Sequence, residues 1–187
     1  MSIVVAVQKA GKTCVAADSQ SNFGSLKVPV QNARARKIRP VGPMILGTTG
    51  WALYEDIFED FLQAKDLPQP VDKPSIFSFF LELWKDLHER YPFVNDQVSK
   101  DESPFGNLDA TFVIAGSTGI FYVASDLGVT RFDRYFAIGS GADFAMGALH
   151  QLFELDLDAE AIATRAVETA IAFNIYCGGE IETLSVG

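Results

Sequence analysis

The chain has 187 residues, a formal net charge of −9 at pH 7 and a pI near 4.6. Hydrophobic residues make up 48% and charged residues 21%, a composition that excludes a disordered chain. A chain of this length can bury one sizeable core. The acidic balance excludes a nucleic-acid binder, because the surface has no excess of cations to displace counterions from phosphates.

The two cysteines, Cys14 and Cys177, form neither a CxxC pair nor a disulfide framework, which is typical of a reducing compartment. The apolar start lacks a charged leader and a cleavage site, and no stretch reaches the roughly 18 apolar residues that a membrane span needs. We therefore expect a single domain over residues 1–187, located in the cytoplasm, with neither nucleic acid nor membrane as a partner.

The first seven residues, Met1–Val7, place a hydroxyl residue directly behind the initiator methionine and an apolar run after it. Methionine aminopeptidase removes Met1 when the next side chain is as small as that of Ser2. A free α-amine then lies beside the Ser2 hydroxyl, which gives a nucleophile and a base within one residue. Met-Ser is also a common start of cytosolic proteins, so the rest of the chain must supply the context.

Short apolar runs bounded by glycine, proline and polar clusters predict strands, and apolar positions at three-to-four spacing predict helices. The predicted strands are Ile3–Val7, Thr13–Ala17, Val41–Gly47, Leu108–Ala115, Ile120–Ser125, Gly128–Phe132, Tyr135–Ile138 and Ile181–Val186. The predicted helices are Trp51–Lys65, one capped by Ser75, Ala142–Phe153, and one from Asp158 to a stop at Gly178-Gly179. Between these elements we expect an irregular Ser19–Asn32, a helix-opening turn at Gly47–Gly50, and a long charged loop at Tyr91–Gly106 whose role stays open.

The predicted order is strands, two helices, strands, two helices, and a final strand. Helices grouped in this way cannot form a doubly wound parallel sheet, which requires strict alternation. We therefore predict an α+β fold, a four-layer αββα sandwich in which two antiparallel sheets pack face to face with a helix layer outside each.

Three features lie where chemistry is common, although each also has an ordinary structural explanation. Asp18 directly follows a buried strand, where a carboxylate most often caps a turn. Lys37 lies between two arginines, and a basic run is usually a solvated face. The Gly47–Gly50 turn offers unpaired N–H groups that could form an oxyanion hole, but such turns are frequent.

Taken together, the features in this order resemble the catalytic β-subunits of proteasomes, and most of all the small bacterial members, HslV and the bacterial proteasome homologue. The resemblance covers nearly the whole chain. Its motifs are the hydroxyl residue at the start, Val15-Ala16-Ala17-Asp18-Ser19, Arg36-Lys37-Ile38, Gly47-Thr48-Thr49-Gly50, Phe132-Asp133-Arg134, Ala137-Ile138-Gly139-Ser140-Gly141 and Asn174-Ile175-Tyr176-Cys177-Gly178-Gly179.

The resemblance implies an N-terminal nucleophile hydrolase, a threonine-type endopeptidase with serine in place of threonine. It implies that Ser2 is the nucleophile and its own amine the base, and that Asp18 holds Lys37 beside it. Gly50 would supply the oxyanion donor and Ser140 would fix the amine. By the same resemblance, the pocket for the side chain before the cleaved bond is lined by Ala35, Thr48 and Ala52; none is charged, so an apolar residue is expected there.

The sequence departs from the family at Ser2, at Asn174, where an aspartate is expected, and at Cys177, where a serine is expected. An asparagine cannot offer a charge to the ammonium or to Lys37, so these departures bear on activity rather than on fold. The resemblance implies stacked rings of identical subunits, an ATP-dependent unfoldase or another activator as a partner, and unfolded polypeptides or peptides as substrates.

Two rivals remain: a catalytically weak or inactive ring protein that serves as a scaffold or binding compartment, and an N-terminal nucleophile acylase acting on a small amide. Asn174 favours the first rival, and the ring-forming pattern argues against the second. His88 and His150 have no partners at metal-ligand spacing, so we expect no metal and no cofactor.

Overall fold

A computed structural model of the chain describes residues 2–24, 26–63, 67–91 and 108–187. The helices are α1 (Leu53–Phe61), α2 (Lys73–Arg90), α3 (Ala142–Leu152) and α4 (Ala159–Phe173). The strands are β1 (Ile3–Lys9), β2 (Lys12–Asp18), β3 (Ser21–Phe23), β4 (Leu26–Val28), β5 (Ile38–Val41), β6 (Met44–Gly50), β7 (Ala110–Gly116), β8 (Gly119–Val123), β9 (Val129–Phe132), β10 (Tyr135–Gly139) and β11 (Ile181–Val186).

Two antiparallel sheets form the centre of the fold. One has the strand order β10-β1-β2-β11, and the other has the order β5-β6-β7-β8-β9. A short hairpin of β3 and β4 stands apart from both. The element order and the two sheets confirm the predicted αββα sandwich.

The alternation of side chains along β1 shows why this strand is apolar throughout. Val4 and Ala6 pack between the two sheets, in a cluster that includes Ile45 of β6. Ile3 and Val5, which point the other way, pack against the helix layer formed by α3 and α4. A strand covered on both faces needs apolar residues at consecutive positions, and this is the pattern of the sequence from residue 3 to residue 7.

Aromatic side chains fill the opposite outer layer, where α1 and α2 cover the five-stranded sheet. Phe58 of α1 and Phe80 of α2 both lie against Phe112 of β7, with ring centroids 5.6 and 4.8 Å apart. All three are fully buried, and each buried phenylalanine stabilises the fold by about 1.5–3 kcal/mol. This layer fixes α1 behind β5 and β6, the strands that carry part of the candidate site.

The Gly47–Gly50 segment is not a turn, which corrects the sequence prediction. These residues are the last four of β6, where Thr48, Thr49 and Gly50 pair with Phe112, Thr111 and Ala110 of β7. The helix begins only at Leu53, after an Ala52 N-cap that makes no side-chain hydrogen bond. The β-branched threonines favour the extended conformation, and pairing with β7 continues the strand through them.

Four other boundaries also differ from the prediction. Val41–Gly47 is not one strand, because Gly42, with φ of 56°, and Pro43 form the turn between β5 and β6. Ser19–Asn32 contains the β3–β4 hairpin. Asp72 rather than Ser75 is the N-cap of α2, and Ser75 completes its capping box. Finally, α4 ends at Phe173, before Gly178-Gly179.

The predicted loop at Tyr91–Gly106 lies outside the described residues except for Tyr91, the C-cap of α2. Lys65, the predicted end of the first helix, also lies outside them.

Candidate active site

Asp18 and Lys37 form a buried ion pair at one end of the sandwich. Lys37 Nζ donates to Asp18 Oδ1 at 2.7 Å and to the Gln20 carbonyl at 2.9 Å. Asp18 is 1% exposed and Lys37 8%. Burial lowers the pKa of Lys37, and the Asp18 carboxylate counteracts that effect.

Besides pairing with Lys37, Asp18 also holds the start of the chain in place. The Ile3 N–H donates to its Oδ1 at 2.9 Å, and the Gly178 N–H donates to its Oδ2 at 2.9 Å. One carboxylate at the end of β2 thus ties together β1, the lysine before β5 and the turn before β11. A turn-capping role alone would not require these three distant partners.

Ser2 lies directly before β1 and is only 5% exposed. Its carbonyl accepts hydrogen bonds from Ser140 Oγ and from the Gly141 N–H, each at 3.4 Å. Gly139 is required beside it, because a Cβ at that position would lie 2.2 Å from the Ser2 carbonyl oxygen. The turn after β10 therefore holds the Ser2 backbone in place.

A cavity of about 1140 Å³ opens at this end of the sheets. Seven of the residues singled out in the sequence line it: Ser2, Lys37, Gly50, Ser140, Ala35, Thr48 and Ala52. Gly50 has φ of 141°, and a Cβ there would lie 2.4 Å from the Asp109 carbonyl oxygen. Only glycine fits at that position, so the residue type follows from the backbone geometry.

Asn174 and Cys177 do not line the cavity but contact Ser140 from behind it. Asn174 Nδ2 donates to the Ser140 carbonyl at 2.6 Å, while its Oδ1 accepts from the Tyr176 N–H at 2.9 Å. Cys177 Sγ lies 3.9 Å from Ser140 Oγ. Burial, with the Asp18 charge second, raises the pKa of Cys177 to about 11, so its thiol stays protonated at neutral pH.

Sequence reasoning missed Arg39, which also lines the cavity and is 6% exposed. A basic run is usually a solvated face, so Arg39 is not among the residues predicted for the site. The local sequence carries no signal for its burial, which depends on the contact between its guanidinium and Phe58 of α1.

Within the described ranges, no group of three or more histidine, cysteine or acidic residues is arranged to hold a metal ion. In the same parts of the chain, no helix is both long and apolar enough to cross a membrane.

The two-sheet sandwich with paired helix layers is the fold of N-terminal nucleophile hydrolases of the proteasome β type. Two solved structures of BPH from Thiobacillus denitrificans, one in complex with epoxomicin, match with a TM-score of 0.88 and 29% identity. The match to the complex covers 98% of this chain and 97% of that one, and the match to the other covers 98% and 96%. Eukaryotic HslV from Trypanosoma brucei shares the fold, with a TM-score of 0.69, 18% identity and 98% coverage of both chains.

Curated relatives give the same result at the level of sequence. The ATP-dependent protease subunit HslV of Bartonella quintana is 29% identical over 186 residues, covering 97% of this chain and 88% of the relative. The subunit of the same name from Caulobacter vibrioides is 29% identical over 192 residues, covering 98% and 92%. No family model matches the chain. The chain is therefore similar to HslV over nearly its whole length and has the proteasome β-type fold, as the sequence motifs predicted.

Proposed function

We propose that the chain is a proteasome-like endopeptidase that uses Ser2 as its nucleophile after removal of Met1. The observation that carries the proposal is the position of Ser2, a buried residue at the start of a core strand that nevertheless lines the cavity with Lys37 and Gly50. The curated relatives, which are named protease subunits, support the peptidase class. In this proposal residues 1–187 act as one catalytic domain.

The proposed reaction proceeds through an ester on Ser2. The Ser2 α-amine accepts the hydroxyl proton as the oxygen attacks the peptide carbonyl. The C–N bond then breaks, the leaving amine takes the proton, and water hydrolyses the acyl ester to regenerate Ser2. The Gly50 N–H donates to the oxyanion that forms at each addition step.

Lys37 and Ser140 support the nucleophile in this mechanism. The Lys37 ammonium favours the ionised Ser2 oxygen, and its 2.7 Å contact with Asp18 keeps it oriented. Ser140 contacts the Ser2 carbonyl and fixes the amine. Asn174 and Cys177 act through Ser140, as their contacts with that residue indicate.

We further propose that the chain assembles into stacked rings that enclose the nucleophiles and receive unfolded polypeptide from an ATP-dependent unfoldase or another activator. An exposed apolar patch supports assembly with further copies. Phe144 of α3 stacks on Phe173 of α4 with ring centroids 5.6 Å apart, although they are 42% and 69% exposed. Ile175, which follows, is 79% exposed. Contiguous exposed apolar surface of this kind marks protein contacts.

The alternative is a ring protein with weak or no catalysis, which serves as a scaffold or binding compartment. The observation that favours it is Asn174, because a neutral amide offers no charge to the ammonium formed in the reaction.

A cleavage assay on purified protein separates the two functions. Wild type and Ser2→Ala should be compared on a broad set of fluorogenic peptides, after light scattering has shown that both assemble. Ser117→Ala is a matched control, since it removes a hydroxyl from an exposed serine in the β7–β8 turn. The peptidase proposal predicts cleavage by wild type and Ser117→Ala and none by Ser2→Ala. Assembled wild-type rings that cleave nothing would instead support the scaffold.

A further inference from the structure

The cavity contains a buried positive charge that the proposed mechanism does not use. Arg39 lies in β5, two residues after Lys37, which directly precedes that strand, and both residues line the cavity. Thr48 lies across from Lys37 on β6, where its N–H donates to the Lys37 carbonyl at 2.9 Å. Arg39 and Thr48 therefore lie beside the position proposed for the side chain before the cleaved bond.

The hydrogen-bond partners of Arg39 are backbone carbonyls, which carry no net charge. Its Nη1 donates to the Glu55 carbonyl at 3.2 Å and its Nη2 to the Arg36 carbonyl at 3.3 Å. Its guanidinium carbon lies 5.9 Å from the centre of the Phe58 ring, and its Nε–H has no acceptor. In the described parts of the chain, no carboxylate forms an ion pair with Arg39. A cation buried in this way favours an anion placed beside it.

Glu55 is the acidic residue of α1 that faces the same cavity. Its Oε1 accepts from the Arg36 N–H at 2.9 Å, so this oxygen is directed to the backbone rather than to the guanidinium. Burial raises the pKa of Glu55 and lowers that of Arg39, with the charge of each opposing the shift of the other. Glu55 thus weakens the field of Arg39 without forming an ion pair with it.

We infer that Arg39 determines the specificity of the proposed peptidase, and that the residue before the cleaved bond is acidic. The inference rests on the proposed function and names its substrate class. A glutamate side chain entering the pocket brings its carboxylate to the guanidinium and replaces water as its partner. This preference differs from the apolar one expected from Ala35, Thr48 and Ala52 alone.

The test compares three blocked fluorogenic peptides that differ only in the residue before the cleaved bond, which is glutamate, its neutral isostere glutamine, or leucine. For wild type, we expect kcat/KM for the glutamate peptide to be at least about tenfold above that for the glutamine peptide. A hydrogen bond between charged groups is strong enough to give a ratio of this size. Arg39→Met should bring the ratio close to one. Glu55→Gln, which removes the opposing charge, should raise it.

The outcomes separate the subsite from the function. Cleavage after leucine with poor cleavage after glutamate would overturn the specificity and leave the peptidase intact. Assembled protein that lacks Met1 and cleaves none of the three would overturn the proposed function, and the subsite with it. If Arg39→Met does not fold, the wild-type ratio and the direction of change in Glu55→Gln decide the matter.

Discussion

Lys37 and Asp18 form an ion pair of 2.7 Å in which both side chains are buried, although 19 positions separate them in the chain. A buried pair stabilises its surroundings only when both members are present, because a lone buried charge is costly. Asp18 also accepts from the N–H groups of Ile3 and Gly178, so its loss would loosen the segment that carries Ser2.

Asp18→Asn should lower the free energy of unfolding by about 3 kcal/mol, because it leaves the Lys37 ammonium buried without a counter-ion. Urea denaturation at one fixed protein concentration measures this. Lys37→Met and the double variant complete a cycle, and the double variant should lose less than the sum of the two single losses. Simple additivity would show that the pair makes no energetic contribution.

Lys37 should make the stability depend on alkaline pH. Its pKa in the folded protein lies below the value of 10.5 for an unperturbed lysine, so between the two values the unfolded chain binds more protons. The free energy of unfolding therefore rises with pH in that window and is independent of Lys37 titration below it. The difference between wild type and Lys37→Met, followed by urea denaturation across alkaline pH, should show this rise. A difference that falls with pH would contradict it.

Asn174→Asp should be destabilising at neutral pH, despite restoring the residue type expected from the family. A carboxylate oxygen in place of Nδ2 would face the Ser140 carbonyl oxygen, 2.6 Å from the present nitrogen, with no hydrogen to share. We expect a loss of about 1–3 kcal/mol that disappears as pH falls below ~3.9, where the carboxyl is protonated in the folded and unfolded states and can donate.

Asn174→Ala is the control for this pH dependence, since it removes the hydrogen bond without adding a charge. Its loss of stability should not vary between about pH 4, near the ordinary aspartate pKa, and about pH 8, because alanine has no group that titrates. Equal pH profiles for the two variants would show that the Ser140 carbonyl does not face the carboxylate.

The architecture was predictable from the sequence because burial on both faces leaves a local signal. Consecutive apolar residues in β1 and the spaced phenylalanines of α2 indicate a strand between two layers and a helix over a sheet. Strand ends were less predictable. The pairing of Thr48 and Thr49 with β7 depends on residues more than 60 positions away, which a local pattern of glycine and threonine does not contain.

The candidate site was predictable only as far as the motifs reached. Taken singly, the motifs left Asp18 and Lys37 with ordinary structural explanations; the resemblance implied that Asp18 holds Lys37, and the fold brings the two side chains together. The motifs did not indicate that the Asn174 amide donates to Ser140, because that contact depends on how two distant turns meet. Arg39 was missed because its burial comes from α1 packing over β5, where Phe58 covers it.

The apolar patch on α3 and α4 should be required for assembly. Phe173→Asp places a charge on that patch, so it should convert a large oligomer into smaller species in light scattering at micromolar concentration. Phe77→Asp is the matched control, because Phe77 is 46% exposed on α2, outside the patch. Wild type that is monomeric at this concentration, or assembly unaffected by Phe173→Asp, would contradict the proposed contact.

The central claim, that Ser2 acts through its own amine and hydroxyl, is tested most directly by intact-mass and peptide-mapping mass spectrometry after treatment with a peptide epoxyketone. These reagents bond to a hydroxyl and an adjacent free amine together, so they report both groups of one residue. We predict that protein purified from cells lacks Met1, that a single adduct forms and maps to Ser2, and that Ser2→Ala forms none. Retention of Met1, or an adduct on any other residue, would contradict the account.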